Sequence, residues 1–381
     1  MFSTDRIGIL TAGGDCPGLN AVIHGAVRSA AQHGMEVVGF NNGFEGLLDL
    51  ESVHLLTPMD TLDLVSKGGT VLKTTNRGHF GVTHGMDQRV ELSSDLLYQV
   101  QANLETLGVR GLICVGGDGS LAIAERLFTF GIPTVGVPKT IDNDVSATAF
   151  SFGFDSAVHC ATDALDRLHT TAESHGRVIC LEVMGRYAGW IALHAGIAGE
   201  ADAILIPEFP WKVEHLIKTL NDRIRARGFG LVVVAEGVGA PLEGDDACEF
   251  QPRLSGAARE VSKQIAPHLD CEIREVVLGH LQRGGSPTAF DRTLATQYGA
   301  HAVKLILEGH VGHMVCYQPP HMQAVQLSEA THVSRVTPDC SIVKAARAMG
   351  VCFGDGITAA ATPFASCAGD ETAACVPQLA R

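Results

Sequence analysis

The 381-residue sequence has no apolar run that approaches the length of a membrane helix. Its first residues, MFSTDRIGILTAGG, lack the basic segment and long apolar run that mark a secretory signal. The 11 cysteines form no Cys-x-x-Cys pair and lie mostly in apolar segments, which argues against a zinc site and indicates reduced thiols. These absences predict a cytoplasmic protein that does not engage a membrane.

Positive charge is also scarce. The chain has 28 Lys and Arg against 42 Asp and Glu, a formal net charge of −14, which argues against nucleic-acid binding. An anionic substrate would therefore need a local cluster of basic residues. Charged residues make up 18% of the chain, 46% is apolar and 43 residues are glycine. This composition favours a turn-rich α/β protein over a coiled coil or a disordered chain, and the length allows two domains.

The stretch 111–144 joins a glycine turn to a pair of carboxylates. Its first predicted strand ends in the turn GGDG, whose glycines let a ligand approach the backbone, and Ser120 is predicted to cap the next helix. The second predicted strand, 132–137, ends in PKTIDND, where an extended backbone would point Asp142 and Asp144 to the same side. Either motif alone is equally well explained as a structural turn. Together on one βαβ unit they predict a phosphotransfer site.

A second glycine turn follows the predicted strand 7–11. Its Gly-Gly-Asp at 13–15 repeats the Gly-Gly-Asp at 116–118, and in a parallel sheet the two turns are expected to lie side by side at the carboxyl edge. Neither turn has the Gly-x-Gly-x-x-Gly dinucleotide fingerprint, so hydride transfer gains no support. Further predicted βα units after residue 150 indicate a second doubly wound domain.

From residue 7 to about residue 355 the chain resembles the 6-phosphofructokinase family. The resemblance rests on six blocks in family order: LTAGGDCPGLNA, VGGDGS, PKTIDND, RVICLEVMGRYAG, AEG and REVVLGHLQRGGSP. It implies an α/β fold of two doubly wound, Rossmann-like domains with largely parallel sheets and an active site in the cleft between them. Residues 1–150 with about 284–335 would bind the phosphoryl donor, 151–283 with about 336–355 would bind the sugar phosphate, and 356–381 would form a tail.

The resemblance implies transfer of the γ-phosphoryl group of ATP to the 1-hydroxyl of fructose 6-phosphate, a glycolytic reaction. Asp142 would be the base, and Thr140 and Arg186 would steady the transferring group. Asp118 would hold Mg²⁺ on the donor phosphates, because a hard cation prefers carboxylate oxygen. The donor itself would be received by residues of the glycine turns and of one further loop: Gly13, Arg77, Gly117, Asp118, Gly119 and Ser120.

On the acceptor side, the resemblance implies that four basic residues grip the sugar 6-phosphate: Arg177, Arg274, His280 and Arg283. Arginine suits this task because its planar fork can bond two oxygens at once. The other implied sugar contacts are Thr140, Ile141, Asp142, Met184, Gly185, Arg186, Glu236, Leu281 and Gln282. In the family the first two arginines come from a neighbouring subunit, so the resemblance implies a homo-oligomer, a dimer or a tetramer, with shared sites.

Two positions point to different phosphoryl donors. Family members that use ATP usually have glycine at the position of Gly119, whereas an aspartate there would occupy the room of the nucleotide's α-phosphate. Lys139 instead is typical of members that use pyrophosphate. This mixture resembles the mixed-substrate branch, and the space at Gly119 favours ATP. A pyrophosphate-dependent, reversible phosphofructokinase and a non-catalytic sugar-phosphate sensor are the alternatives.

Overall fold

The computed structural model describes residues 5–75, 77–81, 92–239 and 256–357. Its strands are β1 (Arg6–Thr11), β2 (Glu36–Phe40), β3 (Val53–Leu56), β4 (Val109–Gly116), β5 (Thr134–Pro138), β6 (Val178–Val183), β7 (Ala203–Leu205), β8 (Gly230–Ala235), β9 (Ile273–Val277), β10 (His313–Gln318) and β11 (His321–Gln326). Its α-helices are α1 (Leu19–Gln32), α2 (Ser94–Thr106), α3 (Asp118–Phe130), α4 (Phe154–His175), α5 (Trp190–Ala198), α6 (Val213–Arg227), α7 (Ala257–Ile265), α8 (Ala289–Leu307) and α9 (Ser341–Ala348).

Seven strands form one sheet in the order β11-β10-β5-β4-β1-β2-β3. The inner pairs are parallel, and the two edge pairs, β2–β3 and β10–β11, are antiparallel. Alternate residues of the central strands belong to different cores: Ile113 packs in the core that contains α1 and α8, whereas Leu112 packs in the core with α2 and α3. Helices therefore cover both faces of the sheet, as a buried parallel sheet requires.

A second sheet has four parallel strands in the order β7-β8-β6-β9. Strands β6 and β8 are buried along their whole length; helix α4 precedes β6 in the chain, and α5, α6 and α7 connect the strands of this sheet. The two sheets form two Rossmann-like units with largely parallel strands, so the predicted fold class is confirmed. Within the described ranges no helix is long and apolar enough to span a bilayer, and eight free cysteines are present.

Helix α3 begins earlier than the sequence pattern predicts. The prediction that Ser120 caps it is wrong, because Asp118 is already helical and Gly117 is the N-cap, without a side-chain hydrogen bond. Ser120 lies inside the first turn and is buried. The extended φ and ψ of Gly117, −82° and −170°, lead the chain straight from β4 into the helix. The free N–H groups of the helix therefore start within the glycine turn itself.

Helices α1 and α8 pack against each other through glycine. A Cβ at Gly25 would lie 2.3 Å from the carbonyl oxygen of Thr296, and one at Gly299 would lie 2.1 Å from that of Val22. The two backbones therefore approach more closely than any side chain would allow. This contact holds α1, which starts after the first glycine turn, against the long helix α8.

We expect Gly25→Ala to destabilise the protein by about 1–3 kcal/mol, because the added methyl group meets backbone that cannot rotate away. The gain in helix propensity offsets only about 1 kcal/mol of this cost. Chemical denaturation followed by far-UV circular dichroism measures the change. Arg28→Ala on the exposed face of α1 is the control and should stay within about 0.5 kcal/mol. Equal stability of the two variants would contradict the close helix contact.

Candidate active site

One cleft collects chain segments that follow strands of both sheets. The large sheet contributes the turns after β1, β4 and β5, and the small sheet contributes the segments after β6, β8 and β9. The residues that line the cleft are Gly13, Gly14, Gly117, Asp118, Gly119, Ser120, Lys139, Thr140, Asp142, Asp144, Met184, Arg186, Tyr187, Glu236 and Arg283. Carboxyl ends of parallel strands are the usual ligand-binding edge of such sheets.

The two glycine turns lie side by side, as the sequence predicts. Strands β1 and β4 are hydrogen-bonded neighbours, and Ala12 N donates to Val115 O at 2.8 Å where they end. Lys139 N donates to Gly116 O at 2.9 Å, which brings the loop after β5 to the same edge. A Cβ at Gly116 would lie 2.2 Å from that of Ser120, so this turn has no room for a side chain. Its compactness leaves the helix N-terminus open to an anion.

Asp142 and Asp144 both line the cleft, although the geometric reason given by the sequence is wrong. The backbone between them is not extended, because Asn143 has a φ of 52°. The side chain of Asn143 holds this bend by accepting from Ser151 N at 2.9 Å and donating to Ala149 O at 3.3 Å. The convergence of the two carboxylates therefore depends on a left-handed turn, a conformation that asparagine tolerates better than most residues.

Burial dominates the acid–base character of both carboxylates. It raises the pKa of Asp142 to about 6, against the opposing charges of Arg283 and Arg186 and with the support of Glu236 and Asp118. Burial, followed by the charges of Asp142 and Asp118, raises the pKa of Asp144 to about 7. The Oδ1 atom of Asp142 is sealed from solvent and has no hydrogen-bond partner among the described residues. An orphaned acceptor of this kind suits a hydroxyl group of a ligand.

Lys139 places a cation beside the first glycine turn. The residue is only 3% exposed, and its Nζ donates to the carbonyl oxygen of Gly14. Burial lowers the pKa of this ammonium, while Asp15 and Asp118 among its neighbours favour the charge. The cleft thus has a basic group on the side of the large sheet, where phosphate oxygens could bind.

The small sheet supplies the other charged side chains. Glu236 follows β8, and its N–H donates to Val183 O at 2.8 Å, so the ends of β6 and β8 stay together. Burial raises the pKa of Glu236, and the nearby guanidinium of Arg186 opposes that rise. Gln282 is fully buried and accepts a hydrogen bond from Met184 N at 3.3 Å. Its side chain thus braces the segment after β6 from within the protein.

Arg177 and Arg274 are not brought to this cleft. Arg177 immediately precedes β6, Arg274 is the second residue of β9, and the register pairs Val178 with Ile273. Both guanidiniums form ion pairs with Glu272 at the amino-terminal edge of the small sheet. Strand β6 separates that edge from the cleft by about 20 Å at the usual rise per residue.

The other predicted residues are not among those that line the cleft. His280 and Leu281 are exposed on the short 3₁₀ helix 279–283, Ile141 is fully buried, and Gly185 belongs to the bend after β6. Arg77 is exposed. The segment after Arg77 is held by Glu45, which accepts from Phe80 N at 3.0 Å and pairs with His79 at 2.9 Å.

Three lining residues lie outside the predicted site. The sequence pattern already paired Asp144 with Asp142, so Asp144 could have been predicted to line the cleft. Tyr187 directly follows Arg186, and this adjacency was the available signal. Gly14 gave no local signal, because its place beside Arg283 depends on a contact between residues that are 269 positions apart.

The fold and the cleft define an α/β protein whose two glycine turns face carboxylates and basic side chains, and the comparisons identify its family. The family profile described as "Phosphofructokinase" matches residues 6–306. The chain therefore belongs to the phosphofructokinase family. It is 49% identical, over 92% of its length and 98% of the relative's, to a Chloroflexus aurantiacus protein named ATP-dependent 6-phosphofructokinase.

Another relative carries a different donor in its name. A Streptomyces coelicolor protein named pyrophosphate–fructose 6-phosphate 1-phosphotransferase is 47% identical over 86% of this chain and 94% of its own length. Among solved structures, phosphofructokinase from Saccharomyces cerevisiae superposes with a TM-score of 0.76 at 30% identity. That match covers 86% of this chain and 45% of the yeast chain. The similarity supports the family and the fold, and relatives of both donor names are comparably similar.

We expect Asp144→Asn to raise the thermal midpoint at about pH 8 by about 2 °C or more. The folded state favours the protonated carboxyl of Asp144, so it loses stability as the pH rises from the ordinary aspartate range to its pKa of about 7. Asparagine removes this loss. The gain should therefore shrink at about pH 5, where the wild-type carboxyl is largely protonated in the folded state. Differential scanning fluorimetry at both pH values measures it.

The exposed Asp222 on α6 offers a matched control, since its pair with Arg225 is solvent-exposed. Asp222→Asn should leave the midpoint nearly unchanged at both pH values. A fall in stability for Asp144→Asn at alkaline pH would show that the carboxylate is stabilised by its surroundings, contrary to the burial argument.

Proposed function

We propose that this protein is an ATP-dependent 6-phosphofructokinase. It moves the γ-phosphoryl group of ATP to the 1-hydroxyl of fructose 6-phosphate and yields fructose 1,6-bisphosphate and ADP, a step of glycolysis. The observation that carries the proposal is the charge arrangement of the cleft. Acids from the large sheet, Asp118 and Asp142, lie in one cleft with cations from the small sheet, Arg186 and Arg283. The name of the Chloroflexus aurantiacus relative, ATP-dependent 6-phosphofructokinase, supports the same reaction.

In this proposal Asp142 accepts the proton of the sugar's 1-hydroxyl. As that oxygen bonds to the γ-phosphorus, the bond from the γ-phosphorus to the β–γ bridging oxygen breaks and ADP leaves with the electron pair. The Oδ1 atom of Asp142, which is sealed from solvent and has no partner among the described residues, offers an acceptor for that proton. A pKa of about 6 keeps Asp142 ionised at neutral pH and makes it a stronger base than an exposed aspartate. Phosphoryl transfer otherwise demands positioning and charge neutralisation.

The cations would carry that second task. Arg186 and Thr140 would steady the transferring group, Arg283 would bind the sugar 6-phosphate, and Lys139 would face the donor phosphates. Their mixture of fork-shaped and compact cations suits a phosphate chain that must be both oriented and neutralised. The donor would lie along the two glycine turns, where Gly13, the segment 117–120 and the helix N-terminus offer backbone N–H groups.

Mg²⁺ fits this cleft as an ion shared with the substrate. Within the described ranges no cluster of three or more His, Cys, Asp or Glu side chains could enclose a metal. Mg²⁺ commonly uses one or two carboxylates together with water and substrate phosphates. Asp118, which lines the cleft at the start of α3, would hold it there. When bound, the ion would neutralise charge on the donor phosphates.

The two halves of the molecule would divide the substrates. Residues 1–150 with about 284–335 would bind the donor, and residues 151–283 with about 336–355 would bind the sugar phosphate. Of the predicted tail, 356–381, residues 358–381 lie outside the described residues. We also expect a cytoplasmic protein without nucleic-acid or membrane partners.

Arg177 and Arg274 would serve the cleft of a neighbouring subunit. Their place at the amino-terminal edge of the small sheet is too far from the chain's own cleft for an arginine side chain to reach. The acceptor site would then be complete only in a homo-oligomer, a dimer or a tetramer. Without a neighbour, Arg283 and His280 would be the basic residues left for the sugar phosphate.

Pyrophosphate is the second candidate donor, because Lys139 adds a buried cation beside the donor turn and one similar protein is named for pyrophosphate. Coupled assays with purified protein, fructose 6-phosphate and each donor separate the two. We expect turnover with ATP, and Gly119→Asp should lower kcat/KM for ATP at least about tenfold by filling the space of the α-phosphate. Turnover with pyrophosphate and none with ATP would reverse the donor assignment.

Asp142→Asn should lower kcat by about 10²–10⁴-fold, because the amide cannot accept the proton. In the wild type kcat should fall as the pH falls through about 6, where the carboxylate becomes protonated. Calorimetry should show fructose 6-phosphate binding to the variant. A wild type that binds the sugar phosphate but turns over with neither donor would favour the non-catalytic sensor. A fully active Asp142→Asn variant would require another base.

A further inference from the structure

The first glycine turn contacts an arginine that reaches it from the other half of the cleft. Arg283 is the last residue of the 3₁₀ helix 279–283 after β9, and its Nη1 donates a hydrogen bond to the carbonyl oxygen of Asp15 at 3.0 Å. Asp15 lies in the turn after β1 of the large sheet. This single bond therefore joins the proposed donor turn to the proposed sugar-phosphate arginine.

Gly14 permits this contact because it has no side chain. A Cβ at Gly14 would lie 2.9 Å from Nη1 and 3.2 Å from Cζ of Arg283. The φ of Gly14 lies outside the left-handed region, so the guanidinium, and not the backbone, excludes a side chain here. Because the obstacle is the far end of a long side chain, an alanine would displace the guanidinium and leave the fold intact.

The turn itself is held from its other side. The carbonyl oxygen of Gly14 accepts a hydrogen bond from the buried ammonium of Lys139. Two successive carbonyls of the turn thus bind two cations, one from each sheet's side of the cleft. The turn cannot retreat from a new side chain without giving up the contact with Lys139, so Arg283 is the partner that must move.

We propose that Gly14 and Asp15 are positioning residues for Arg283, so that a turn assigned to the phosphoryl donor sets the affinity for the sugar 6-phosphate. The inference rests on the proposed function, in which Arg283 binds that phosphate. A guanidinium has more N–H donors than the one used on Asp15, so the remaining ones stay free for phosphate oxygens. Fixing one edge of the fork before the ligand arrives reduces the ordering that binding would otherwise require.

Gly14→Ala tests the proposal, because Gly14 lies in the turn assigned to the donor but the substitution should weaken binding of the sugar phosphate. We expect the KM for fructose 6-phosphate to rise about tenfold, the scale of one hydrogen bond to a charged group, while the KM for ATP changes by less than about twofold. Calorimetric titration with fructose 6-phosphate alone should give a similar loss in Kd. A change confined to the donor turn would instead raise the KM for ATP.

A double-mutant cycle separates the contact with Arg283 from a general disturbance. Gly14→Ala should add nothing to the sugar-phosphate Kd or to the thermal midpoint of Arg283→Ala, because the displaced group is then absent. If Gly14→Ala alone folds poorly, the double variant should regain the stability of Arg283→Ala. Gly284→Ala is the matched control, since its Cβ would meet nothing closer than Leu281 O at 3.8 Å.

Three results would overturn the inference: an equal or larger rise in the KM for ATP, additive losses in the double variant, or an unchanged Kd in Gly14→Ala. Failure of the proposed function has a different signature, in which the wild type turns over fructose 6-phosphate with neither donor. The Kd values would then still decide whether the turn positions Arg283. A wild type that does not bind fructose 6-phosphate would contradict both.

Discussion

The ionisation of Asp142 depends on cations that come from the other half of the molecule. Burial raises the pKa of Asp142 and Asp144, and nearby carboxylates add to the rise: Glu236 and Asp118 at Asp142, and Asp142 and Asp118 at Asp144. Arg283 and Arg186 oppose that rise at Asp142, and both follow strands of the small sheet. Without these guanidiniums Asp142 would ionise less readily still. The proposed base therefore lies where segments from the two sheets meet.

Adjacent parallel strands and close helix packing bring the parts of the cleft together. Strands β1, β4 and β5 are adjacent and parallel, so the turns that follow them share one edge. Glycine keeps those turns compact, as at Gly116, where a Cβ would clash with Ser120. Close packing of α1 on α8 then fixes the helix that starts behind the first turn. The stability of a helix pair far from the chemistry thus contributes to the geometry of the cleft.

The parts of the site that are local in the chain could be predicted from the sequence, and the parts that depend on distant contacts could not. Apolar runs next to glycine predicted β4 and β5. The repeated Gly-Gly-Asp after two predicted strands predicted that the two turns are neighbours. The prediction that Ser120 caps α3 was wrong because the helix starts directly after Gly117. The prediction of an extended loop was wrong because Asn143 adopts a left-handed backbone conformation. The contact of Arg283 with the first turn needs both sheets in place. The catalytic and binding roles themselves stay predictions.

Lys139 illustrates why a residue type alone does not select a phosphoryl donor. Its Nζ already donates a hydrogen bond to the carbonyl oxygen of Gly14, and burial lowers its pKa, which disfavours the charged form. What remains would attract any polyphosphate, whether pyrophosphate or the tail of a nucleotide. Space would be the more selective property, because the family resemblance implies that an aspartate at the position of Gly119 would repel and block a longer donor. We therefore expect the residue at position 119, more than Lys139, to decide which donor this cleft accepts.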